Sequence, residues 1–123
     1  MASKQELFEE ILNKMNEEGN FEAAVLSVKD GMPLASSPAH YEDEMAAAMV
    51  TLLNEAVHKI NQELKLSQMD EISIVGDDRT RLVCRYFAVN GRELLLTVLT
   101  PPDQAYRRLT NQTIRKIRHI WLL

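Results

Sequence analysis

Residues 92–100, RELLLTVLT, are nearly continuously apolar. Successive side chains of a strand point to opposite sheet faces. A strand apolar at both parities must therefore be covered on both faces. Residues 81–89, RLVCRYFAV, repeat the pattern in their later half. Residues 21–29, FEAAVLSVK, place Phe21, Ala23 and Val25 on one side and Ala24, Leu26 and Val28 on the other. Strands of this kind predict a sheet with helices on both sides, a three-layer α-β-α arrangement.

The helices to cover that sheet are legible. Residues 42–66, EDEMAAAMVTLLNEAVHKINQELKL, lack Gly and Pro and are rich in good helix formers. Ala46, Val50, Leu53, Val57, Ile60 and Leu64 form one stripe at helical spacing, and Met45, Met49, Leu52 and Ala56 form a second beside it. A helix that only lies on a sheet needs one stripe. The second is expected to be an interface; the competing reading is core beneath a longer loop. Thr51, Asn54, Glu55, His58, Asn61 and Gln62 fill the polar side, and Glu42, Asp43 and Glu44 suit the positive end of the helix dipole.

The first helix is expected to begin at Ser3, with capping-box spacing to Glu6, and to run through Leu7, Phe8, Ile11, Leu12 and Met15 to Gly19 as its stop. A last helix is expected from Thr100 as N-cap with Pro101 at its first position. Leu109, Ile114, Ile117 and Trp121 follow helical spacing there.

Turn chemistry links the strands. Asp30-Gly31 and Asn90-Gly91 are hairpin signals, and residues 76–79 form a turn after a strand at 71–75. Pro33 cannot donate a ladder hydrogen bond, so the short strand at 32–36 should be an edge, followed by a loop at 36–38. The order is helix, hairpin, long helix, three-stranded meander, helix.

The 123 residues suit one domain spanning 1–123. No apolar run approaches the roughly 18 residues of a membrane-spanning helix, and the acidic amphipathic N-terminus is unlike a signal peptide. One cysteine forms no internal disulfide, which fits a reducing cytosol, so a cytoplasmic protein is expected. Net charge is −4 but divided: residues 1–66 carry twelve acids and five lysines, and residues 67–123 carry six acids and nine Lys or Arg. That balance does not suit a nucleic-acid binder. It suits acidic and basic faces used for protein docking.

No catalytic constellation emerges. Asp77-Asp78 reads as a polar hairpin tip, because two adjacent acids without further ligands make a poor metal site. Cys84 lies in an apolar strand and reads as a small buried hydrophobe; His40, His58 and His119 supply no evident partner for it. No phosphate-binding glycine loop or dinucleotide fingerprint is present. The basic last helix, with Arg107, Arg108, Arg115, Lys116 and Arg118, is either a solvated face complementing the helix dipole or a docking surface for an acidic protein.

The segments Asp30-Gly31-Met32-Pro33-Leu34-Ala35, MAAAM from Met45 to Met49, and LLLTVLTPPDQAYRRL resemble the Roadblock family, the dynein light-chain type that includes bacterial gliding-motility regulators and archaeal relatives. The resemblance spans nearly the whole chain, on diffuse motifs. It implies a profilin-like α/β (α+β) fold with a five-stranded antiparallel sheet in the order 2-1-5-4-3 and three helices. It implies a homodimer, or a heterodimer with a paralogue, in which third strands pair edge to edge and long helices pack together. Met45, Met49, Leu52, Ala56, Ile72 and Ile74 would then form the interface. It also implies a non-enzymatic, cofactor-free adaptor that binds a small Ras-like GTPase or scaffolds a larger assembly, with Glu55, His58, Arg107, Arg108 and Arg115 as partner-facing candidates. The long helix departs from the family pattern in being rich in Asn and Gln toward its end (Asn54, Asn61, Gln62). The competing reading is a small-molecule sensor of similar topology, its cavity lined by residues such as Tyr86 and Phe87.

Overall fold

A computed structural model describes residues 2–29, 32–39, 43–65 and 69–123; within the long helix, side chains are described at 53 and from 55 onward. The elements are α1 (Lys4–Gly19), β1 (Ala23–Val28), β2 (Pro33–Ser37), α2 (Asp43–Leu64), β3 (Glu71–Val75), β4 (Arg81–Val89), β5 (Arg92–Thr100) and α3 (Arg107–Trp121). All strand pairings are antiparallel, and the sheet order is β2-β1-β5-β4-β3. This is the architecture that the sequence implied.

Register fixes the two faces. Ala24, Leu26, Leu94, Leu96, Val98, Phe87 and Val89 face α1 and α3, where they join Phe8, Leu12, Met15, Ile114 and Ile117 in the main core. Trp121 stacks on Phe8 with ring centroids 6.2 Å apart, closing the far end. On the other face, Cys84 and Leu95 pack against Leu53 of α2, and Val57 is buried. β5, the most apolar run, is the central strand, and its residues 94–98 are buried on both faces.

The turn at Asn90-Gly91 has φ of 52° and 81°. Two positive φ values in succession are the type I′ geometry that the dipeptide favours. At the start of α1, Ser3 Oγ accepts from the Glu6 amide at 3.2 Å, as the capping-box spacing requires. The Asp30-Gly31 turn lies outside the described residues.

Three local expectations differ from the structure. The left-handed residue after α1 is Asn20, at φ 55°. Gly19 is instead the last helical residue, buried, where a Cβ would run into the Phe21 ring. Second, Ser36 and Ser37 are buried strand residues rather than loop. Ser37 hydrogen-bonds Asn13 through its hydroxyl, and its carbonyl accepts from Asn16 Nδ2 at 3.2 Å. Third, Thr100 does not cap α3. It is the last residue of β5, paired with Arg81 and buried. A residue before proline is pushed to extended backbone, so Pro101 prolongs the strand conformation. Helix α3 begins six residues after Pro101, with Tyr106 at the N-cap.

Helix α2 also departs from its expected orientation in its second half. The spacing assigns Ile60 and Leu64 to the sheet-facing stripe, yet they are 41% and 65% exposed. The side facing the sheet runs instead through Leu53, Val57 and Asn61. That line keeps to four-residue spacing and so turns slowly around the 3.6-residue helix, whereas Ile60 and Leu64 continue the 4-3-4 stripe and are left exposed.

Candidate interaction surface

β3 is an edge strand. Its one sheet neighbour among the described residues is β4. Ile72 and Ile74 lie opposite Cys84 and Leu82, so they face the α2 side of the sheet. Ile72 is half-buried, whereas Ile74 is 51% exposed and Val75 is 44% exposed. Unpaired N–H and C=O groups along a hydrophobic edge are a template for another strand. Ile60 and Leu64 add exposed apolar surface on α2. Ala56 is exposed, and the side chains of Met45, Met49 and Leu52 lie outside the described residues.

The expected partner-facing residues divide between two layers. Glu55 and His58 are exposed on α2; Arg107, Arg108 and Arg115 are exposed on α3, across the sheet. Arg107 is already engaged. It donates at 2.7 Å to both Asp70 Oδ2 and Glu71 Oε1. This contact holds the Asp70 carboxyl below the usual carboxylate range and raises the Arg107 guanidinium.

Those bridges belong to a cluster that the sequence does not announce. Arg85 sits mid-strand in β4 and is 4% exposed. Its Nη1 donates to Thr110 Oγ1 at 2.7 Å and its Nη2 to Asn111 Oδ1 at 2.8 Å. Glu71 also accepts from Tyr106 Oη at 2.6 Å and from Ser73 Oγ at 3.0 Å. The cluster ties the start of the edge strand to the first turns of α3. Its signal in the sequence was one charged residue at the parity of Val83 and Phe87, with an acid opposite.

Beneath the second half of α2 lies a cavity of about 180 Å³, lined by Val57, His58, Asn61, Tyr86 and Leu95 among others. Asn61 Oδ1 and Tyr86 Oη are buried there without a hydrogen-bond partner among the described residues. Burial pushes the Tyr86 phenol well up, and it raises the adjacent Cys84 thiol as well. Lys29 and Glu93, bridged at 2.7 Å, also line the cavity. The Asp77-Asp78 tip is exposed, and Asp78 accepts from Thr80 N and Oγ1. No group of three potential metal ligands occurs among the described residues.

Neither a protein-family profile nor a curated protein matches the sequence. Solved structures match the fold over nearly its full length. The gliding protein MglB from Thermus thermophilus aligns at TM-score 0.75 and 16% identity, covering 98% of this chain and 92% of that one. An MglB structure with a tetrameric arrangement aligns at TM-score 0.76 and 16% identity, covering 98% and 91%. A Roadblock/LC7 domain from Streptomyces avermitilis aligns at TM-score 0.70 and 14% identity, covering 93% and 94%. The chain therefore has the Roadblock fold.

Proposed function

We propose that this chain is a Roadblock-family protein acting as a dimeric, non-enzymatic adaptor in the cytoplasm, regulating or scaffolding a small Ras-like GTPase. One observation carries the self-association: the edge strand β3, with no neighbour on its outer side among the described residues, presents Ile74 and Val75, each more than 40% exposed. Pairing a second β3 against it would satisfy the edge and extend the sheet across two subunits. Closed two-fold symmetry makes such a contact self-complementary. The tetrameric arrangement of one MglB structure of this fold supports the same direction.

The GTPase half of the proposal rests on the family resemblance. Such an adaptor would act by binding one nucleotide state of its partner better than the other, since only differential affinity shifts an equilibrium. The test is capture of a small GTPase from the source organism on the immobilised chain, with the GTPase loaded with GDP or a non-hydrolysable GTP analogue. State-dependent retention supports the adaptor; no retention in either state contradicts it.

A second reading is supported by the α2 cavity. Buried polar atoms normally have partners, and Asn61 Oδ1 and Tyr86 Oη, which lack one among the described residues, would find them in a small polar molecule. Native mass spectrometry of the freshly purified chain would reveal a retained ligand. A mass equal to the bare chain contradicts this sensor reading.

A further inference from the structure

We propose that the cleft between β4 and α3 is a binding site for a phosphate dianion, free or carried on a small molecule. The site is independent of the adaptor reading and lies across the sheet from α2. The cleft has a volume of about 340 Å³ and is lined by Arg85, Arg115, Arg118, Asn111, Asp70 and Ile114 among others. That volume lies at the small end of ligand sites, which span roughly 300–1,000 Å³.

The side chains converge for a simple reason. Asn111, Arg115 and Arg118 are spaced by four and three along α3, so they occupy one helical stripe. Arg85 rises to meet that stripe from the sheet face that α3 covers.

Arg85 is a buried cation whose charge is only partly answered. Buried charges are normally paired and hydrogen-bonded. Its hydrogen bonds go to the neutral oxygens of Thr110 and Asn111. The nearest carboxylates, Glu71 and Asp70, stand off at 3.6 and 3.7 Å. Both give their 2.7 Å contacts to Arg107 instead. The Arg85 Nε is buried with no hydrogen-bond partner among the described residues.

The other two guanidiniums complete the site. Arg118 is held in place: its Nε donates to the Ala88 carbonyl at 3.2 Å, and its guanidinium carbon lies 5.8 Å from the Phe87 ring centroid. Arg115 has no ion-pair or hydrogen-bond partner among the described residues. The helix dipole accounts for a cation in the last turn, but not for Arg85 on the sheet.

Charge selects the ligand class. Three guanidiniums and one carboxylate line the cleft, leaving two positive charges. A phosphomonoester carries about −1.5 to −2 at pH 7, which matches that excess; a single carboxylate would answer half of it. Guanidinium forks also fit phosphate oxygens in bidentate fashion.

The experiment is an NMR titration of the isotopically labelled chain with inorganic phosphate, glycerol phosphate and acetate at matched ionic strength. Saturable shifts are expected at residues 111–118 and at the Arg85 side chain, with both phosphates binding at least about tenfold more tightly than acetate. Tighter binding of the ester identifies a carried phosphate, and equal binding identifies free phosphate. Arg115→Gln, an exposed substitution compatible with folding, should weaken phosphate about fivefold or more, whereas its neighbour Lys116→Gln should change it less than about twofold. Lowering the pH from about 7.5 to 5.5 should weaken binding, because the second phosphate pKa is near 6. Non-saturable shifts, acetate binding equal to phosphate, or equal effects of the two substitutions would overturn the proposal.

Discussion

Arg85 of β4 and Glu71 of β3 are directly opposite cross-strand partners, and their charges face each other at 3.6 Å on the sheet face covered by α3. The edge strand is thereby fastened to a helix as well as to its neighbouring strand. The same arrangement gives the edge a fixed position from which to present Ile74.

Removing Arg85 should cost more than removing Arg107, although Arg107 makes the shorter ion pairs. Arg85 is buried and donates to Thr110 and Asn111; Arg107 is half exposed, where solvent screens its contacts. Arg85→Met should destabilise the fold by about 1–3 kcal/mol, since it removes a donor from the buried Thr110 hydroxyl and a partner from the carboxylates of Glu71 and Asp70. Urea unfolding of both variants checks the ranking: Arg107→Met should lose less.

The Asp70 carboxyl supplies a pH dependence of definite sign. Its Arg107 hydrogen bond lowers its pKa in the folded chain. Such a group stabilises the fold above its unfolded value, about 3.9, and the contribution disappears as pH falls through the lower folded value. Wild type should therefore exceed Asp70→Asn in stability at neutral pH, and the gap should close in the acid range below about pH 4. Denaturant midpoints from neutral to acid pH measure it. The gap should be small, because Asp70 is largely exposed.

Gly19→Ala sets two effects against each other. In an exposed helix the change would stabilise by about 0.5–1 kcal/mol. Here the new methyl meets the ring of Phe21, which is itself buried. Overpacking of that kind costs about 1–3 kcal/mol, so the substitution should lower the thermal midpoint. A raised midpoint would show that the ring can move aside.

Tyr86→Phe separates an empty α2 cavity from an occupied one. Deleting a hydroxyl that has no hydrogen-bond partner among the described residues should be neutral or stabilising by up to about 1 kcal/mol. Destabilisation in the purified chain would mean that a bound molecule or water was completing the hydrogen bond. Thermal unfolding of wild type and variant decides between them.

Most of the fold was legible because it rests on local and periodic signals. The both-parity runs identified strands covered on two faces, Asn90-Gly91 fixed a hairpin, and Ser3 with Glu6 marked the start of α1. The structure's strands at 71–75, 81–89 and 92–100 begin and end where the sequence places them. The errors fell where tertiary contact decides. Phe21 claims the space beside Gly19, strand pairing to Arg81 claims Thr100, and the packing of α2 on the sheet buries Val57 and the Asn61 side-chain oxygen while leaving Ile60 exposed. The Arg85 cluster was hidden because its members are scattered from Asp70 to Asn111 and only folding assembles them. The apolar excess that suggested an interface lies on α2, where the side chains of Met45, Met49 and Leu52 fall outside the described residues, and the sequence does not say that Ile74 and Val75 remain exposed.

The central claim, self-association through the β3 edge, is tested most directly by multi-angle light scattering of wild type and Ile74→Arg at micromolar concentration. Ile74 is 51% exposed, so the substitution should leave the fold intact by circular dichroism. The account predicts wild type at an even multiple of the 14.1 kDa chain mass and a folded Ile74→Arg monomer. A wild-type monomer, or a variant that associates as wild type does, would contradict it.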